Sequence, residues 1–280
     1  MIVNSKKMLE KAKKEKYAVA QFNINNLEWT RYILEKCNEM KVPVILGVSE
    51  GAIKYMGGYD VVVSLVQSLV KDLEIDIDVC IHLDHGSSVG VCKAAIDAGF
   101  TSVMIDASRN ELQKNIEITK EVVDYAHDRN ITVEAEVGHI DGNSASSSSR
   151  EFNATLGDCE EIVKNTGIDS LAPALGSVHG LYKGDPDLDF DTMQSVSETL
   201  DIPLVLHGGS GIGDADIKKA ISCGICKINI NTELQTAWHD AVVKFVVDNK
   251  DVYDPRKVIS SGKDAIYKMI ESKINLFYNK

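Results

Sequence analysis

Eight short apolar runs recur along the chain: AVAQFNIN (18–25), PVILGVS (43–49), VCIHLDH (79–85), SVMIDAS (102–108), TVEAEVG (132–138), SLAPALG (170–176), PLVLHGG (203–209) and KININT (227–232). Each has the length of a strand buried on both faces, where continuous apolar sequence replaces in–out alternation. Longer stretches with helical spacing separate them. Leu27 to Met40 places apolar residues at Ile33, Leu34 and Cys37; Leu112 to Asp128 does so at Ile116, Ile118, Val122, Val123 and Ala126. Strands alternating with helices, without a linker between, predict βαβ units and a parallel sheet. Eight units in 280 residues favour a single α/β domain over 1–280, closed into a (β/α)8 barrel. The alternative, an open doubly wound sheet, needs a glycine-rich turn after its first strand to bind a dinucleotide, and the residues there are Asn25, Asn26 and Leu27. The segment 139–155 departs from the rhythm: five serines between 144 and 149, broken only by Ala145, predict a mobile polar loop after strand five. A helical segment is expected from about 256 to the C-terminus.

The polar residues that interrupt these runs sit at the C-terminal ends of the strands. They are Asn23, Ser49, Asp84, His85, Asp106, Glu136, His207 and Asn229, with His179 three residues beyond strand six. Those ends converge on one mouth in a parallel barrel, so residues scattered in sequence face one another. Three imidazoles with an open position form a catalytic zinc geometry, which points to His85, His179 and His207 as ligands. His82 shares a strand face with Asp84 and reads as a core residue or a support for the site. His127 and His239 fall in helical stretches and read as surface residues. Two glycine-rich segments, GSVHG (176–180) and HGGSG (207–211), allow close approach of backbone amides to a phosphate. Cys223 and Cys226 form a CxxC without a second pair and read as unrelated thiols.

Composition narrows the function. A 44% hydrophobic fraction supports a large core. A net charge of −12 argues against non-specific nucleic-acid or anionic-membrane binding, which needs a basic surface. No apolar run approaches 18 residues and the N-terminal stretch lacks an apolar signal core, so neither a membrane span nor a secretory leader is expected. Six cysteines are too few for a disulfide framework at this length and fit a reducing cytoplasm.

HLDHGSS, GFTSVMIDAS, VEAEVG, APALGSVHG, PLVLHGGSGI and KININTE resemble, in order and spacing, the motifs of the class II, metal-dependent ketose-bisphosphate aldolases. The likeness runs from AVAQFNINN to YDPRK (253–257) and is greatest to the bacterial fructose-bisphosphate aldolases. It implies a (β/α)8 TIM barrel, Zn²⁺ on His85, His179 and His207, and Asp84 as the catalytic aspartate. Asp106 and Glu136 match a second cation site of some members. By the same resemblance, Gly180, Gly208, Gly209, Ser210, Asn229 and Thr232 hold a ketose phosphate and a monovalent cation (Na⁺ or K⁺). Asn23, Ser49, Lys183 and Asn231 join the substrate-binding set, and Asn231 bears on which stereoisomer fits. The implied reaction is reversible cleavage of a ketose bisphosphate, most directly fructose 1,6-bisphosphate, to dihydroxyacetone phosphate and glyceraldehyde 3-phosphate, by a cytoplasmic homodimer or homotetramer. No Schiff-base lysine is needed: Lys227, the lone lysine in the strand runs, reads as the start of strand eight, at the wrong end.

One stretch departs from the family pattern. Where members carry a loop glutamate that moves the C–H proton, this chain has Ser144 in Asp141-Gly142-Asn143-Ser144-Ala145. Asp141, Glu151 and His139 are the candidate replacements. The departure leaves two alternatives: an aldolase for another phosphorylated ketose (tagatose bisphosphate or an inositol-catabolic keto-acid phosphate), or a paralogue that binds metal and phosphate without turnover.

Overall fold

The computed structural model describes residues 1–139, 153–178 and 186–279, together with Gly180, Tyr182 and Gly184. Among them, eight parallel strands close on themselves in chain order. They are β1 (Val19–Asn23), β2 (Val44–Ser49), β3 (Val79–Gly86), β4 (Ser102–Ile105), β5 (Thr132–Val137), β6 (Ser170–Pro173), β7 (Leu204–Leu206) and β8 (Ile225–Ile230). The barrel expected from the eight apolar runs is the one observed. It closes through β8 against β1, with Val19 opposite Lys227 and Phe22 opposite Ile230.

Helix α1 (Lys6–Glu15) precedes β1, and helices α2 (Leu27–Met40), α3 (Glu50–Met56), α4 (Tyr59–Asp72), α5 (Val89–Ala98), α6 (Leu112–His127), α7 (Leu156–Thr166), α8 (Phe190–Thr199) and α9 (Asp214–Ser222) follow the strands. Three more complete the described chain: α10 (Thr232–Asp248), α11 (Pro255–Ser260) and α12 (Lys263–Phe277). Polar caps start several of them. The Asn26 side chain accepts from the Trp29 amide at α2, Ser88 caps α5, and Thr155 forms a reciprocal capping box with Asp158 at α7. Each such cap contributes about 1 kcal/mol and fixes where the helix begins. α12 packs against α2 and α9, so the last helix fills the gap in the outer ring. None of the described helices is long and apolar enough to cross a membrane.

The barrel is closed at its N-terminal end. Met8, Leu9 and Ala12 of α1 pack with Tyr17, Val19, Ile45, Cys80 and Cys226 in a separate apolar cluster. Functional chemistry is thereby confined to the opposite mouth.

Strands β6, β7 and β8 differ from the sequence reading. β6 and β7 are shorter than their apolar runs, because Pro173 has no amide for the ladder and left-handed Gly176 (φ +92) and Gly208 (φ +64) turn the chain away. β8 begins two residues earlier than expected. Leu204 pairs with Ile225 and Val205 with Lys227, so the register slips there. Lys227 therefore does not begin the strand at the far end; it lies within it, buried at 1% exposure.

Gly86 marks a tight crossing of β3 and β4. A Cβ there would lie 2.8 Å from the Met104 carbonyl oxygen and 2.9 Å from Cys92 Sγ. A carbonyl in a ladder cannot swing aside as a side-chain tip can. Gly86→Ala is expected to cost about 1–3 kcal/mol, seen as a lower urea midpoint with unchanged slope. A native midpoint would show that the crossing has slack.

Candidate active site

Asp84 and His85 are consecutive, yet both belong to one cluster of side chains. In a regular strand neighbours point to opposite faces. His85 breaks the rule by adopting a left-handed backbone, φ +52, where the β3–β4 register also shifts. Such a conformation costs a non-glycine residue about 1–3 kcal/mol and persists only where its surroundings enforce it. Here they do: His85 Nδ1 donates to Asp106 Oδ2 at 2.9 Å, and Asp106 Oδ1 accepts from Ser108 Oγ at 2.7 Å.

His85 Nε2 lies 2.9 Å from Nδ1 of His207, with the rings edge to face at 89°. His207 Nε2 in turn donates to Glu134 Oε1 at 2.9 Å. Asp84 is buried and held from β1 and β8: Asn23 Nδ2 donates to Oδ2 at 2.7 Å, and Asn229 Nδ2 lies 3.5 Å from Oδ1. Donor atoms of Asp84, His85 and His207 lie within 4.8 Å of one another, as do those of His85, Asp106 and Glu136. Mixed imidazole and carboxylate donors at this spacing fit a divalent transition metal.

The electrostatics follow from the same contacts. Burial opposes a charge on His85, but Asp106, Asp84 and Glu136 outweigh it and raise the imidazole to about 9. Burial holds His207 below the usual histidine range despite Glu134. Against the penalty of burial, the neighbouring histidines and Lys227 keep Asp84 ionised, well below the usual carboxylate range. His82 is pushed down to about 3 by burial and by Lys227, and its Nδ1 meets Ser102 Oγ at 2.8 Å. It is a neutral core residue beneath the site.

The glycine-rich loop after β7 is held tightly. A Cβ on Gly208 would meet the Val178 carbonyl oxygen at 2.2 Å, and one on Gly209 would meet Ile228 Cγ2 at 2.5 Å. Ser210 Oγ accepts from the amides of Asn231 (3.3 Å) and Glu233 (3.4 Å), at the N-terminus of α10 where Thr232 is the first residue. Ser49 Oγ accepts from the Ala52 amide and caps α3. Both hydroxyls keep their own hydrogen to donate. His139 reaches the cluster through Ser108, whose Oγ is 3.3 Å from its Nδ1. His127 and His239 are exposed, as their helical positions foretold, and Cys223 and Cys226 are buried free thiols. His179, Lys183, Asp141, Ser144 and Glu151 lie outside the described residues, and Gly180 is described alone between two that are not.

Sequence reading missed Glu134, Ser108 and Tyr182, and it named Lys227 without bringing it to the site. Glu134 had a signal, since it stands two residues before Glu136 and so on the same strand face. Tyr182 had none.

A family model, fructose-bisphosphate aldolase class II, matches residues 3–280. The chain belongs to the class II fructose-bisphosphate aldolase family. It is 54% identical over 277 residues to the fructose-bisphosphate aldolase of Geobacillus stearothermophilus, covering 99% of this chain and 96% of that one. Identity to the Staphylococcus epidermidis fructose-bisphosphate aldolase is 53%, covering 99% and 97%. Among solved structures, the YdjI aldolase of Escherichia coli K12 superposes with a TM-score of 0.87 at 35% identity, covering 99% and 97%. Class II aldolases are metal-dependent lyases of phosphorylated sugars, and the donor groups around His85 fit that requirement.

Tyr182 pins two loops of this mouth together: its hydroxyl accepts from the Val178 amide at 3.1 Å and donates to the Gly208 carbonyl at 3.0 Å. Tyr182→Phe removes both bonds. Hydrogen exchange at the Val178 amide is expected to speed up at least tenfold, the equivalent of about 1.4 kcal/mol. Unchanged exchange would mean another group holds that amide.

Proposed function

We propose that this protein cleaves fructose 1,6-bisphosphate reversibly to dihydroxyacetone phosphate and glyceraldehyde 3-phosphate, with Zn²⁺ on His85, His179 and His207. The observation that carries the reading is the paired turn of Asp84 and His85 into one cluster with His207 at 2.9 Å. It sets a general base beside a metal ligand. The names of the relatives at 53–54% identity support the substrate.

A zinc ion there supplies Lewis-acid polarisation of the ketone. The remaining work belongs to the chain. Asp84, ionised and aimed by Asn23, takes the proton of the C4 hydroxyl. The C3–C4 bond breaks, the aldehyde leaves, and its electron pair stays on the dihydroxyacetone phosphate half as an enediolate, which is then protonated on carbon. His139, tied to Asp106 through Ser108, is our choice for that last proton transfer among His139, Asp141 and Glu151. Gly208, Gly209, Ser210, Asn229, Asn231, Thr232, Gly180 and Lys183 form the phosphate side with a monovalent cation, Na⁺ or K⁺. Asn23 and Ser49 line the other side. Asp106 and Glu136 make a second cation position beside the first, in keeping with their donor atoms' approach to His85. A homodimer or homotetramer is consistent with Val243, Val246 and Val247, apolar and exposed on α10. Free, buried thiols at all six cysteines accord with a cytoplasmic setting.

The direct test compares zinc-loaded with chelated protein on fructose 1,6-bisphosphate, with tagatose 1,6-bisphosphate in parallel. Zinc-dependent cleavage preferring the fructose ester is expected. Asp84→Asn is expected to lower kcat by about 10²–10⁴-fold while zinc stays bound. Much higher efficiency on the tagatose ester would reassign the substrate. Bound zinc with no turnover on either would favour a binding paralogue.

Metal affinity should also depend on pH. His85 titrates at about 9 without metal, and a proton on it competes with the ion. Apparent affinity is therefore expected to rise with pH through the neutral range and level off near 9, by up to about tenfold per unit for one displaced proton. A flat profile between pH 6 and 9 would mean that no proton leaves His85 on metal binding in that range.

A further inference from the structure

Glu134 sits inside the barrel at the centre of a three-residue bridge. One carboxylate oxygen, Oε1, accepts from His207 Nε2 at 2.9 Å; the other, Oε2, accepts from Lys227 Nζ at 2.8 Å. Glu134 lies on β5 and Lys227 on β8, and His207 is the residue directly after β7, so the bridge reaches across the interior rather than along one ladder. Glu134, Lys227 and His207 are each 1% exposed. Ser170 Oγ, 3.4 Å from Oε2, adds a weaker contact.

We infer that Lys227 is a positioning residue for the metal site: by anchoring Glu134 it fixes the ring of His207 with Nδ1 turned toward His85. The inference rests on the reading of His207 as a ligand.

A neutral imidazole has one N–H and one lone pair, and the nitrogen facing a carboxylate keeps the hydrogen. Glu134 therefore assigns the N–H to Nε2 and leaves the lone pair on Nδ1, the nitrogen 2.9 Å from His85. That assignment is only as firm as the carboxylate. An unanchored glutamate could rotate away and release the ring. Lys227 prevents this, because its ammonium holds the second oxygen and balances a charge that burial would otherwise make costly. The lysine itself is buried and its ammonium is paired with Glu134, so it is not placed to attack a ketone. Its presence in an apolar strand thus has a use without any covalent role.

The test is zinc affinity, measured by competition with a chromophoric chelator, with the thermal midpoint of each metal-free protein recorded alongside. Lys227→Met should bind zinc about 10–100-fold more weakly than the native protein, the usual loss when an outer partner of a ligand is removed. Adding Glu134→Gln to it should recover most of that loss. The amide oxygen still accepts from His207 Nε2, its N–H₂ can turn to Ser170, and no unpaired charge remains. Native-like affinity in a folded Lys227→Met protein would overturn the inference, as would a double variant no tighter than the single one. Should Lys227→Met fail to fold, Lys227→Met/Glu134→Gln is compared with Lys227→Met/Glu134→Leu, which lacks the acceptor. At least tenfold tighter zinc binding by the glutamine form supports the inference, and equal binding overturns it. Native protein that bound no zinc would instead sink the metal-site reading, and is recognised before any variant is made.

Discussion

The site depends on one break in strand alternation. A parallel strand sends successive side chains to opposite faces, so a carboxylate and an imidazole adjacent in sequence ought to be separated by the sheet. The left-handed turn at His85 brings Asp84 and His85 together. Its conformational cost is met by the hydrogen bond to Asp106 and by the closely fitted crossing at Gly86. The Asp106 and His207 contacts are both made by the ring of the residue at that turn.

Around it the barrel is graded along its axis. The N-terminal end is apolar and shut by α1. The middle holds Glu134 and Lys227, which compensate each other, and His82, tied to Ser102. The open end carries the titratable cluster. This order keeps bulk water on one side only, so the charges at the mouth act in a medium of low dielectric, where fixed dipoles are strongest. The −12 net charge of the whole chain therefore says little about the local field.

Much of this was legible in the sequence, for identifiable reasons. Buried strands leave unbroken apolar runs, so the barrel and helices α2 and α6 emerged close to their observed bounds. Polar residues ending those runs marked Asn23, Asp84, His85, Asp106, Glu136, His207 and Asn229, because nothing in a core explains them. What escaped was set by register. Lys227 looked like a strand start because the slip between Leu204 and Val205 cannot be read from composition. Glu134 was overlooked beside Glu136 because its meaning lies in its contacts on β7 and β8. The φ of His85 left no trace in residue type. Asp141, Ser144, Glu151, His179 and Lys183 stay expectations, since they fall outside the described residues.

The cysteines carry a practical consequence. All six are free and buried, and burial pushes the thiols of Cys80, Cys92, Cys159 and Cys226 up to about 12. Alkylating reagents attack the thiolate, which is almost absent from these positions in the folded chain. Their labelling should therefore report the opening of the barrel itself. Spread over α2, β3, α5, α7, the end of α9 and β8, the thiols form a built-in set of clocks at six places in the wall.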